Sequence, residues 1–173
     1  MANNNHLIDN YIDALLVEAV ERKKELNTET LTTVYLGGGT PSLLSSTQLS
    51  KLVNGLKKVF DFSDVEEFTI EVNPDDVTPE CIQQSKSLGI NRVSMGVQSF
   101  SDEDLRFINR RHTAKQATDA IHIIKETGID NISIDLIYGI PGQNFEIWKN
   151  NVDTAILLSV QHISAYTLMY EEG

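Results

Sequence analysis

Apolar residues recur along the chain in two alternating periods. Between residues 6 and 26 they fall at helical spacing, with Ile8, Tyr11, Ile12, Leu15 and Ala19 on one predicted stripe. A β-branched and aromatic run at 32–37 predicts a strand, and Leu49, Leu52, Val53, Leu56, Val59 and Phe60 predict a helix over 47–60. A strand at 67–73 follows, then a helix that Thr78 and Pro79 start and Gly89 ends, then a strand at 91–97. The box Ser101-x-x-Asp104 opens another helix, and a further one over 114–127 stops at Gly128. A strand at 131–137, a helix over 144–158 and a strand at 162–168 complete the pattern. Such alternation implies a parallel sheet with right-handed crossovers. "LGINRVSMGVQSF" (88–100) and "TGIDNISIDLIYG" (127–139) also echo one another, and "HIS" at 162–164 repeats the end of the echo. No linker or low-complexity stretch divides residues 1–173, so one domain is expected.

Splitting each strand by parity separates two faces. Ile70 and Val72, Val93, Met95 and Val97, Ile132, Ile134 and Leu136, and Ile163 and Ala165 form an apolar face that should pack under the helices. Thr69, Glu71, Asn73, Ser94, Gly96, Gln98, Ser133, Asp135, Ile137, Ser164 and Tyr166 form the other. Ionised carboxylates inside a sheet cost several kcal/mol unless something pairs with them. The polar face therefore points to a polar ligand, against the alternative of a purely structural polar network. Glu71, Gln98 and Asp135 sit at or near the C-terminal ends of their strands, where α/β proteins place their sites. Arg110, in "FINRRH", is a candidate counter-charge.

Composition narrows the ligand. A net charge of −11, from 25 acidic and 14 basic residues, argues against nucleic acid or anionic lipid as the main partner. No apolar run reaches the roughly 18 residues of a membrane span, and no signal-peptide pattern opens the chain, so a cytoplasmic location is expected. The single Cys81 excludes an internal disulfide, and four scattered histidines offer no metal site at helical spacing. Cys81 is expected to be a small buried residue, His112 a solvated loop residue, and Phe145 and Trp148 core or helix-stripe residues. The loop "GGGTP" (37–41) lacks the lysine of a nucleotide-phosphate loop and has carboxylates for neighbours. Bare amides and carbonyls beside carboxylates suit an ammonium group and ribose hydroxyls, as in an amino-acid nucleoside.

"VYLGGGTPSLL", "FTIEVNPDDVT", "GINRVSMGVQSF", "FINRRH", "ISIDLIYGIPGQ" and "HISAYTL" occur in order and together resemble the radical S-adenosylmethionine (SAM) proteins of the oxygen-independent coproporphyrinogen III oxidase family. The resemblance implies a partial (β/α)6-type barrel with SAM in its concavity. Position by position, it assigns the SAM amino group to Gly38, Gly39 and Thr40 and the carboxylate to Arg110. Gln98 and Asp135 would hold the ribose hydroxyls, Glu71 would add a polar contact, and Ile137 and Met169 would surround the adenine. The family's CxxxCxxC loop, whose thiolates hold a [4Fe–4S] cluster, has no counterpart in this sequence. The chain is therefore expected to be a truncated radical SAM core. Its first strand, the cluster loop and the C-terminal region would lie outside it, and it would be inactive alone.

Two branches of the family differ in what the resemblance implies. One oxidatively decarboxylates coproporphyrinogen III to protoporphyrinogen IX; the other binds and hands over haem while often labelled an oxidase. "GGGTPSLL" and "HISAYTL" favour the haem-chaperone branch. Porphyrin or haem and an electron donor are the implied partners of the whole protein, with no nucleic acid and no stable membrane insertion. A small-molecule enzyme without radical chemistry is the distant alternative, weakened by the lack of an inward lysine or histidine. With the first strand missing, the edge at 32–37 would be open and self-association is expected.

Overall fold

The computed structural model describes residues 2–26 and 30–169. Its elements run α1 (Ala2–Arg22), β1 (Thr33–Leu36), α2 (Ser46–Val59), β2 (Glu67–Val72), α3 (Pro79–Ser87), β3 (Arg92–Gln98), α4 (Asp102–Phe107), α5 (Ala114–Glu126), β4 (Asn131–Tyr138), α6 (Phe145–Leu157) and β5 (His162–Thr167). The strands form one parallel sheet in sequence order, β1-β2-β3-β4-β5. Neighbouring strands joined by crossovers of one hand carry their helices on one face, so the other face is left concave, as in an arc of a barrel.

The apolar parity set lies under the helices. Ile70, Val93, Met95, Val97, Ile132, Ile134 and Leu136 are buried and pack with Leu49 and Val53 of α2, Ile82 of α3, and Ala117, Ile121 and Ile124 of α5. Each fully buried aliphatic side chain contributes about 1.5–3 kcal/mol. Three expectations fail at the margins. Tyr11 is 64 % exposed because Ile12 takes the centre of the α1 stripe. On the edge strand β5, Ile163 is half-buried and packs on the core as expected, but Ala165 is exposed. Phe145, the first residue of α6, is 72 % exposed, whereas Trp148 packs on the core and meets Tyr138 edge-on.

Side chains close the helix ends. Ser45 with Gln48, and Thr113 with Gln116, form reciprocal capping boxes at α2 and α5. The box expected at α4 is only half made. Ser101 Oγ accepts from the Asp104 amide, but the Asp104 carboxylate turns inward to accept from the Ser99 hydroxyl and the Gln143 side-chain amide.

At the C-termini one device recurs. Lys57 of α2 donates to Leu88 O at the end of α3, Lys86 of α3 to Thr127 O at the end of α5, and Lys125 of α5 to Leu158 O and Ser159 O at the end of α6. An ammonium there satisfies orphan carbonyls and opposes the helix dipole. Gly128, at φ +81°, makes room for it, since a Cβ would stand 2.6 Å from Lys86 Nζ. This is the structural content of the internal sequence echo, with Gly89, Gly128 and Ser159 in equivalent left-handed positions.

Candidate functional site: a polar cavity at the C-terminal strand ends

A cavity of about 170 Å³ opens on the concave face, lined by Gly39, Thr40, Glu71, Val72, Asn73, Ser94, Gly96, Gln98, Arg110 and Asp135. Six of the nine sequence-predicted ligands therefore converge on one space. Gly38 borders it through its amide, which donates to Glu71 Oε2 at 2.9 Å. Ile137 is half-buried and lies outside the lining, as does Met169, which is 79 % exposed beyond β5.

Each wall has a local cause. Gly38 and Gly39 turn the loop after β1 with φ of +79° and +63°, a conformation costly for other residues. Glu71, on β2, anchors that loop: one carboxylate oxygen takes the Gly38 amide and the other the Tyr35 hydroxyl at 2.7 Å. Burial, then the bond to Glu71, pushes the Tyr35 phenol above its ordinary value, so it stays a donor.

β3 carries a bulge. Met95 is in register with Ile134 but Gln98 with Leu136, so one extra residue on β3 is absorbed between them. Gln98, at φ +68°, thereby keeps the inward side although its register partner Leu136 is fully buried on the outer face. Gly96 forms the floor, where a Cβ would crowd Gln98 Nε2 at 2.8 Å and Arg110 Nη2 at 3.1 Å.

Arg110 is aimed by the turn ending α4, where Asn109 takes φ +56°, a position asparagine tolerates. Its Nη2 donates to Asn73 Oδ1 (3.1 Å) and Gly96 O (3.0 Å). It is not the counter-charge expected for the carboxylates, because among the described residues it makes no ion pair with them. The neighbouring Arg111 instead pairs with Asp75 at 2.7 Å. Arg92, at the N-terminal end of the inward face, approaches Glu67 at 3.6 Å and bonds Thr69. Among the described residues Asp135 makes no ion pair, although the charges of His162 and Arg92 reach it weakly and favour its carboxylate. Burial pushes its carboxyl above the ordinary value, the Ser164 hydroxyl pulls it down, and Glu71 pushes it up again.

Asn73, Ser94 and Gly96 were on the predicted face but had no assigned role; the period-2 signal already contained them. Tyr35 had no sequence signal, since its partner Glu71 is 36 positions away. His112 departs from expectation: it is 3 % exposed, not solvated. Cys81 is half-buried where full burial was expected, yet burial, and then the charge of Asp76, raises its thiol pKa, in keeping with an unreactive residue.

Guanidinium, carboxylate and amide groups gathered over a glycine floor match the chemistry of a small zwitterionic, hydroxyl-bearing ligand, and they lie at the strand ends of a parallel α/β arc. That defines the class. The chain belongs to the radical SAM superfamily, whose family model matches residues 4–155. It is 40 % identical over 161 residues to the haem chaperone HemW of Lactococcus lactis, covering 93 % of this chain and 42 % of that protein. To HemW of Bacillus subtilis it is 38 % identical over 165 residues, covering 95 % and 44 %. The chain thus spans less than half the length of these relatives. Among solved structures, coproporphyrinogen III oxidase (HemN) of Escherichia coli superposes with a TM-score of 0.87 at 32 % identity, covering 96 % of this chain and 38 % of that one. The archaeal Elp3 of Methanocaldococcus infernus, at 22 % identity and TM-score 0.71, shares the fold.

The family implies SAM and a [4Fe–4S] cluster. The cavity's donor set fits SAM. It does not fit the cluster: the sequence has one cysteine, and the described residues contain no group of His, Cys, Asp and Glu able to hold a metal.

Proposed function

We propose that this chain is the SAM-binding core of a haem-chaperone-type radical SAM protein. One observation carries the reading: Glu71, Gln98 and Asp135, from three strands, and Arg110, from the loop after α4, line one cavity over Gly96. Arg110 holds the SAM carboxylate, and Gly38, Gly39 and Thr40 receive the amino group. Gln98 and Asp135 bind the ribose hydroxyls, with Glu71 as a further contact. Ile137 and Met169 are assigned to the adenine surround. When bound beside a reduced cluster, SAM supplies hydrogen-abstracting radical chemistry. The residues of this chain bind and orient it.

The haem-chaperone branch is supported by relatives of that name at 34–40 % identity. The oxidase reading is supported by the likeness to HemN. Haem or a porphyrinogen, together with an electron donor, are the proposed partners of the whole protein, and the cytoplasm its proposed location. Among the described residues, no helix is long and apolar enough to cross a membrane. The outer edge of β1 is unpaired among the described strands, which supports self-association. Light scattering should show mass rising with concentration, and a strictly monomeric chain refutes it.

SAM titration of this chain, followed by amide chemical shifts, tests the site. Affinity on the order of millimolar is expected with no cluster to assist. No shift at Gly39, Gln98 or Asp135 refutes the site, and micromolar binding refutes the cluster's part in affinity. For the full-length protein with reconstituted cluster, reductant and coproporphyrinogen III, deoxyadenosine without protoporphyrin, plus a Soret band on adding haem, supports the chaperone. Protoporphyrin formation supports the oxidase.

A further inference from the structure

Gln98 is held in an uncommon turn. The Ser99 amide donates to Val97 O at 2.9 Å, two residues back, around a φ of +68°. That is a γ-turn of the strained hand, which persists only where its surroundings enforce it. The same carbonyl takes a second bond, from His112 Nε2 at 2.9 Å. A carbonyl only accepts, so the proton of the neutral ring sits on Nε2 and Nδ1 is bare. Nδ1 is buried without a hydrogen-bond partner, 4.0 Å from Asp75 Oδ1. Burial, and then the charge of Arg110, hold the ring below its ordinary pKa against the bond to Val97 and the charge of Asp75, in keeping with the neutral tautomer.

Three consecutive residues therefore stitch the site together. Arg110 grips Gly96 O and Asn73, Arg111 pairs with Asp75, and His112 grips Val97 O. We propose that His112 is a positioning residue that clamps the γ-turn at Gln98 and sets the spacing between Gln98 and Arg110 for the ligand. It touches no ligand itself. The proposal rests on the SAM reading for its ligand, but its geometric half stands apart from it.

Two substitutions separate clamping from space-filling. His112→Phe keeps the ring volume and removes the donor, whereas His112→Gln places an amide N–H near the position of Nε2. The first readout needs no ligand: the one-bond Cα–Hα coupling of Gln98, which reports the sign of φ, together with hydrogen exchange of the Ser99 amide. The second is SAM affinity by chemical-shift titration. His112→Phe should lose the positive φ, speed Ser99 exchange and weaken SAM by about tenfold, the scale of one lost hydrogen bond. His112→Gln should recover most of each. A Phe variant that keeps turn and affinity overturns the proposal, and so does a Gln variant as impaired as Phe. If the parent chain fails to bind SAM, the functional reading falls, and the Gln98 coupling still decides whether His112 holds the turn.

Discussion

Replacing Gly96 with alanine should divide stability from binding. The new methyl would stand 2.8 Å from Gln98 Nε2 and 3.1 Å from Arg110 Nη2. Both contacts are the far ends of long side chains, which can swing away, and Gly96 is not among the positive-φ glycines. The backbone should accept alanine and gain about 0.5–1 kcal/mol over glycine within a strand. Against this stands the loss of the Arg110 bonds to Gly96 O and Asn73, of similar size for a half-exposed group. The melting temperature should therefore stay within about 3 °C of the parent. Binding should suffer more. A displaced guanidinium forfeits a charged hydrogen bond of about 1.5–3 kcal/mol, or about 10- to 150-fold in affinity. Thermal melts and SAM titration on the same samples measure the two quantities. Parental affinity in Gly96→Ala would refute the idea that the bare floor lets Gln98 and Arg110 converge. A fall in melting temperature beyond about 8 °C would instead make Gly96 a packing residue.

Asp135→Asn should raise the melting temperature near neutral pH, because burial and Glu71 both oppose the native carboxylate, while SAM affinity falls at least about tenfold; a destabilised variant contradicts this. Lys125→Met keeps the side-chain stem but removes the bonds to Leu158 O and Ser159 O, so it should cost about 1 kcal/mol, or about 2–4 °C in a thermal melt; an unchanged melt contradicts the capping role. His112 has a native pKa below its ordinary 6.5, so below that pH the unfolded chain binds more protons and stability falls as pH drops toward the native value. Melting temperatures at pH 7.5 and 5.5 should differ more for the parent than for His112→Gln, a comparison in which the opposing contribution of Asp135 cancels. Equal slopes would show that His112 does not titrate in this way.

Strand alternation was legible because the two sheet faces differ in chemistry, one apolar throughout and the other mostly small or polar. A period of two separates Val93, Met95 and Val97 from Ser94, Gly96 and Gln98, and the same parity placed Glu71 and Asp135 beside Gln98. The bulge that keeps Gln98 inward was hinted at only by a glycine in the strand. Arg110 rather than Arg111 was named for the site, and the physical reason is visible only in three dimensions, where an Asn109 turn aims one at the cavity and leaves the other to Asp75. His112 looked solvated beside two arginines, yet its burial is decided by a carbonyl on another strand. Asp104 followed the capping pattern, but Ser99 and Gln143 offered its carboxylate better partners. Local signals rank caps well until tertiary donors compete for the same oxygen atoms.

The lysine contacts between successive helices run one way along the chain. α2 closes the end of α3, α3 that of α5, and α5 that of α6, while none of these three contacts points back. Cooperativity along the arc therefore has a polarity. If α3 detaches, the carbonyls ending α5 lose their cation, whereas if α5 detaches, α3 keeps the one Lys57 supplies. Fraying started at an early unit should spread toward the later ones more readily than the reverse, so that native-state hydrogen exchange would report nested openings ordered along the chain.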